Sequence, residues 1–324
     1  MNLFASVHDA PAPGVAVEIA ANRVSAAVLE HRAGQPVVGA HAVEPLPDGA
    51  LVPSLTTINT HNRTQVATAL ARVLERVGRP RRVGLVVPDQ IARVSLVRFE
   101  KVPARSQDLD QVIRWQVRKS APFPIEEAQV SYVPGITAAD GREFVVSLAR
   151  RAVIEEYEAL CAEGGAHAGI VDLATFNVAN AVLAGSSAPT ADWLLVHVAA
   201  DSASIAILRG AHVIFFRNRT ADAEGSLADL VHQSAMYYED RLQGAGFSRV
   251  VLAGAGDADE ARRSLEERLT TKVEMVDPRL AAALTDRIAA APPLLDALAP
   301  LVGLLLRDSR QFTVDSRQLT GERA

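Results

Sequence analysis

The chain has 324 residues, 49% of them hydrophobic and 22% charged, enough to bury a sizeable core and to form two domains or one large two-lobed unit. Its net charge of -5, with 33 basic residues spread among 38 acidic ones, leaves no basic stripe with interleaved aromatics and argues against a nucleic-acid partner. The single cysteine, Cys161, excludes an internal disulfide or a thiolate zinc cluster; the start, Met1 to Asp9, lacks a signal-peptide pattern, and no apolar run is long enough for direct membrane insertion.

Residues 1–12 read as a loose start. The first ordered pattern, Val17 to Leu29, is a short apolar strand, a small-residue turn and a second strand. It aligns without gaps on Val196 to Leu208, with valine, two alanines, serine, alanine and leucine recurring in register. Such a repeat predicts two related lobes, 13–190 and 191–307, each a sheet with helices and with a cleft between them. Asn62 is expected to cap a helix over 63–77 whose Val66, Leu70, Val73, Leu74 and Val77 share one face. Strands follow over 82–88 and 94–99, then a helix capped by Ser106 with Leu109, Val112, Ile113 and Val117 pointing one way. Pro122, Phe123 and Pro124 stop that helix and hold Phe123 on a rigid turn. Strands near 129–133 and 143–149 and a helix over 152–163 complete the first lobe.

After the second meander, which continues through Val213 to Phe216, a helical period runs from Leu227 to Leu242. A strand over 250–253, the turn Gly254-Ala255-Gly256, a helix over 259–269, a strand over 272–276 and an apolar helix over 294–306 follow. The polar tail 308–324 has too little apolar content to pack and is expected to be disordered. Eight histidines are scattered without metal-ligand spacing, so no metal site is expected, and no G-x-S-x-G elbow marks a hydrolase. Cys161 reads as a buried thiol, Trp115 and Tyr237-Tyr238 as core or subdomain contacts, and the Arg79-Pro80-Arg81-Arg82 run as a solvated face.

Three stretches carry a resemblance: Val83 to Pro88, Asp110 to Lys119, and Ala121-Pro122-Phe123-Pro124-Ile125-Glu126-Glu127. With Val231 to Tyr238, Val250 to Gly256 and Val273 to Pro278 in the same order, they resemble the PilM family of type IV pilus assembly proteins. More distantly, the chain is similar to the cytoplasmic part of type II secretion GspL proteins. The resemblance implies an α/β, actin-like (ribonuclease H-like) two-lobed fold with a small α+β subdomain inserted at about 83–165. It also implies a cytoplasmic scaffold, peripheral at the inner membrane, that binds the N-terminal cytoplasmic tail of a PilN-like single-pass membrane protein and meets motor components of a pilus or secretion machine. The groove for that tail would include Leu85, Pro88, Pro122, Phe123 and Pro124.

The same resemblance implies an ATP and Mg site at the first turn of each meander and at the later glycine turn, thus at Glu18, Ala20, Asn22, His197, Ala199, Asp201, Gly254 and Gly256. Phosphate loops use glycine so that the backbone can approach a phosphate, and a carboxylate to hold magnesium through water. Here Ala20 and Ala199 stand where the resemblance expects glycine, and His197 where it expects a carboxylate. The expectation is therefore a degenerate site with no cofactor and no catalytic residue, a pseudo-ATPase. The alternatives are an active ATP-driven switch of the same machine and a sugar- or acetate-kinase relative.

Overall fold

The computed structural model describes residues 13–186, 191–221, 223–255 and 258–307. The expected loose start, the tail 308–324 and Gly256 lie outside the described residues. The first half contains β1 (Val15–Ala20), β2 (Arg23–Arg32), β3 (Gln35–Pro45), α1 (Arg63–Arg76), β4 (Arg82–Val87), β5 (Ala92–Phe99), α2 (Ser106–Val117), β6 (Ala128–Ala138), β7 (Gly141–Arg150), α3 (Arg151–Glu163), β8 (His167–Leu173) and α4 (Ala174–Gly185). The second contains β9 (Asp192–Val198), β10 (Ser202–Arg209), β11 (His212–Thr220), α5 (Leu227–Leu242), β12 (Arg249–Ala253), α6 (Ala258–Leu269), β13 (Val273–Met275), β14 (Ala283–Leu284) and α7 (Pro292–Leu305).

The repeat read in the sequence is a repeat in space. One sheet runs β14-β3-β2-β1-β4-β8 and the other β11-β10-β9-β12-β13, each an antiparallel meander whose first strand pairs in parallel with a later one. Glu18 lies opposite Ser25 in the first meander and His197 opposite Ser204 in the second, the positions that the ungapped alignment equates. This duplicated sheet topology with a central pair of helices is the actin-like fold.

Alternation along β1 explains the layering, since successive side chains point to opposite faces. Val17 and Ile19 join the core with Leu70 and Val73 of α1 and Tyr157 and Leu160 of α3, whereas Ala16 joins Leu298, Leu301 and Val302 of α7. In the second lobe, Leu230, Val231 and Tyr238 of α5 cover one face of the sheet, and Val178, Ala179 and Val182 of α4 cover the other. Thus α4 and α7 lie between the two sheets. A helix buried on all sides carries no amphipathic period, which is why α4 has no counterpart among the elements predicted from the sequence; the strands β3, β8 and β14 have none either. The two helices touch at Gly303, where a Cβ would meet the Asn177 carbonyl at 1.7 Å.

The separate three-stranded sheet, β5-β7-β6, is covered by α2 through Leu109, Ile113 and Val117. It spans Ala92 to Arg150, narrower than the expected 83–165: β4 is hydrogen-bonded inside the first-lobe sheet, and α3 packs on that sheet through Val153 and Tyr157. Two local readings change as well. Asn62 caps α1 by accepting from the Gln65 amide at 3.2 Å, but Ser106 is the first residue of α2, and its N-cap, Arg105, makes no side-chain cap. Trp115 is 70% exposed, because the buried residues of α2 recur at 109, 113 and 117 and leave 115 on the opposite face; Val112, expected to share the buried face, sits on its flank at 36% exposure. Tyr238 is buried while Tyr237 is half exposed.

Candidate functional site

The cleft between the lobes is where both meander turns arrive, and the predicted residues fall there unequally. The β1–β2 turn is two residues, Ala21 and Asn22, between the paired Ala20 and Arg23. Asn22 is exposed, and its backbone carbonyl is held by the Leu46 amide at 2.8 Å. Glu18 is 3% exposed; it accepts from the Ser25 hydroxyl at 3.0 Å and from Arg23 at 3.1 and 2.9 Å. The Arg23 guanidinium therefore folds back over its own strand pair. A buried carboxylate is stable only with such charge-assisted partners.

In the second turn, Ala199 donates its amide to the Ser202 carbonyl at 2.8 Å, which leaves Ala200 and Asp201 at the tip. Burial pushes the Asp201 carboxyl up, tempered by the Gln90 side chain from the other lobe. Gly254 sits after β12 at φ +78°, where a Cβ would meet the Val198 carbonyl at 2.1 Å, so only glycine fits. Its amide donates to the Asp296 carboxylate of α7 at 2.9 Å. Burial raises the Asp296 carboxyl, and the Gly254 amide, Arg23 and His197 work against that rise.

The sequence reading missed the centre of this cleft, which is Asp89. The residues 89–91 form a single 3-10 turn after Pro88, and Asp89 is 5% exposed between the lobes. It accepts from the Thr175 amide at 3.1 Å, from the Thr175 hydroxyl, and from the Ser204 hydroxyl at 2.6 Å. Ser204 in turn accepts from the Asn218 side chain at 2.9 Å. Because the one proton of Thr175 Oγ1 goes to Asp89, its 2.8 Å contact with His197 Nδ1 requires that nitrogen to donate. His197, 7% exposed, thus points its Nδ1–H into the network. Burial would raise the Asp89 carboxyl; His197, Ser204 and Thr175 together bring it below the usual carboxylate range. The only local signal was an acid directly after a buried strand and a proline, Val86-Val87-Pro88-Asp89.

The cleft thus brings together Glu18, Arg23, Asp89, Thr175, His197, Ser204, Gly254 and Asp296, each engaged with another group of the chain through at least one hydrogen bond or ion pair. Among the described residues, no group of three His, Cys, Asp or Glu is arranged to hold a metal ion, and no helix is long and apolar enough to cross a membrane.

The expected partner groove divides. Leu85 is fully buried among the first-lobe core residues, and Pro88 is buried as well, so neither offers surface to a peptide. A central parallel strand is covered on both faces, and that coverage removes them. Pro122 and Pro124 are exposed, and Phe123 is partly buried against the subdomain core. Arg150 joins this turn to the first lobe: it donates to Glu127 at 3.1 and 2.9 Å and to the Thr56 carbonyl at 2.6 Å. Beside Thr56, Ile58 is 70% exposed.

Comparison with known proteins accords with this architecture. The solved PilM-PilN type IV pilus biogenesis complex is similar with a TM-score of 0.77 at 18% identity, covering 91% of this chain and 97% of that one. The ethanolamine utilization protein EutJ from Carboxydothermus hydrogenoformans gives 0.48 at 10% identity, covering 92% and 90%. The cytoplasmic domain of EpsL, an inner-membrane component of the type II secretion system of Vibrio cholerae, gives 0.41 at 12%, covering 80% and 95%. The family model for type IV pilus assembly protein PilM matches residues 16–226, about two thirds of the chain, and the chain belongs to that family.

Proposed function

We propose that the protein is a nucleotide-independent scaffold of a type IV pilus or related secretion machine, seated on the cytoplasmic side by binding the tail of a PilN-like membrane protein. The observation that carries the reading is the self-satisfied cleft. A bound Mg-nucleotide needs free backbone amides at the turns and a carboxylate facing the metal. Here the Gly254 amide is given to Asp296, Glu18 is given to Arg23 and Ser25, and Ala20 and Ala199 add β-carbons at the turns. The site residues therefore do not fit Mg-ATP, and the cleft is held by its own side chains.

The likeness to the PilM-PilN complex supports the partner. The junction of the Pro122-Phe123-Pro124 turn with the loop bearing Ile58 is the surface we assign to it, because the two segments that Arg150 ties together both expose apolar or proline residues. Calorimetric titration tests both halves, using Mg-ATP and a synthetic N-terminal tail of a PilN-like protein. The expected result is peptide binding, lost in Ile58→Glu, with no heat from Mg-ATP. Micromolar Mg-ATP binding would instead establish an ATP-driven switch, and peptide binding that ignores Ile58→Glu would move the partner surface elsewhere.

A further inference from the structure

The Arg79-Pro80-Arg81 run lines a groove. Gly78 and Arg79 both take left-handed backbone, at φ +90° and +53°, and turn the chain sharply from the end of α1 toward β4. Beside that turn, α3 ends at Gly164 and Gly165. Between the two helix ends lies a groove of about 650 Å³, walled by Arg72, Arg79, Arg81 and Glu75, with Ala71 and Pro80 contributing apolar surface and the buried Leu74 at its floor. It shares no residue with the inter-lobe cleft or with the surface assigned above to the PilN-like tail.

Three guanidiniums against one carboxylate give these walls a net charge of +2, on a chain of net charge -5. The C-termini of α1 and α3 bring about half a negative charge each, which accounts for roughly one of the three arginines. Glu75 is paired with Arg79. Arg72 stands 3.5 Å from Glu44, a carboxylate already engaged by Arg76 at 2.6 Å, and the Arg81 guanidinium makes no ion pair among the described residues. The planar guanidinium fork matches carboxylates in a bidentate way. A recessed groove with an apolar surface fits an extended chain better than a flat bilayer, whose capture by charge alone takes a larger basic cluster.

We propose that this groove binds an extended segment of a protein partner in which acidic residues alternate with apolar ones, the carboxylates meeting Arg72 and Arg81. The probe is a short fluorescein-labelled peptide alternating Glu with Leu, followed by fluorescence anisotropy against the full chain. We expect saturable binding that weakens with added salt, no binding of the matching Lys-Leu peptide, and a loss of about tenfold in Arg72→Glu/Arg81→Glu, two exposed contacts at a few-fold each. The paired change Arg118→Glu/Lys119→Glu, in the 3-10 turn after α2, should leave the affinity unchanged. If the double reversal lowers the melting temperature, Arg72→Ala/Arg81→Ala, which adds no charge, replaces it. Peptide binding indifferent to these arginines overturns the proposal. So does a failure to bind the peptide, whether or not the chain binds phosphatidylglycerol vesicles or self-associates through the same arginines.

Discussion

Replacing Asp89 with alanine is the sharpest probe of how the lobes are joined. The change strips three donors of their acceptor: the Thr175 amide, the Thr175 hydroxyl and the Ser204 hydroxyl, all buried. A hydrogen bond to a charged group contributes about 1.5–3 kcal/mol, and breaking a buried charged network costs roughly 3–5 kcal/mol. With an unfolding entropy of about 2.1 cal/mol/K per residue, a loss of about 4 kcal/mol over the 324-residue chain lowers Tm by roughly 6 °C. Differential scanning calorimetry of wild type, Asp89→Ala and Asp89→Asn measures this directly, and the asparagine variant should fall between the other two.

The sign of the pH dependence follows from the lowered carboxyl of Asp89. A folded-state pKa below the unfolded value means that the unfolded chain binds more protons in that window. The contribution is thus complete above the unfolded carboxylate range, near pH 4, and is lost as pH falls through the lower folded value. Asp89→Asn should therefore flatten the acid limb of the Tm–pH curve and leave the region above pH 5 parallel to wild type. A Tm loss below about 1.5 °C in Asp89→Ala, or an unchanged acid limb in Asp89→Asn, would refute the buried inter-lobe network.

Gly303→Ala should be among the most damaging glycine changes, because its Cβ meets the Asn177 carbonyl between two helices that cannot separate without opening both sheets. Gly254→Ala should cost at least about 2 kcal/mol through its left-handed φ and the Val198 carbonyl, and the Tm of both variants checks this. Burial pushes the Cys161 thiol up to about 12, so it should stay unlabelled by iodoacetamide at pH 8 in the folded protein and react on denaturation, as mass spectrometry would show. Of the two tryptophans, Trp193 is fully buried and Trp115 exposed. Trp115→Phe should therefore remove the acrylamide-quenchable, red-shifted part of the emission; quenching that persists in this variant would contradict the placement of α2.

The duplicated lobes, most of their strands (β3, β8 and β14 excepted) and the amphipathic helices α1 and α5 were legible in the sequence, because each depends on a short-range pattern. The recurrence of Val17 to Leu29 at Val196 to Leu208 is one such pattern, and the Asn62 cap another. What the tertiary structure decided is the environment of residues whose neighbours are distant in sequence. α4 and α7 lost their period by being enclosed between two sheets, and Leu85 lost its surface by lying in a strand covered on both faces. Asp89 meets Thr175 86 residues later and Ser204 115 residues later, and Gly254 meets Asp296 42 residues later. No local pattern encodes such convergence, since desolvating a carboxylate and supplying its donors happen only when the two lobes pack together.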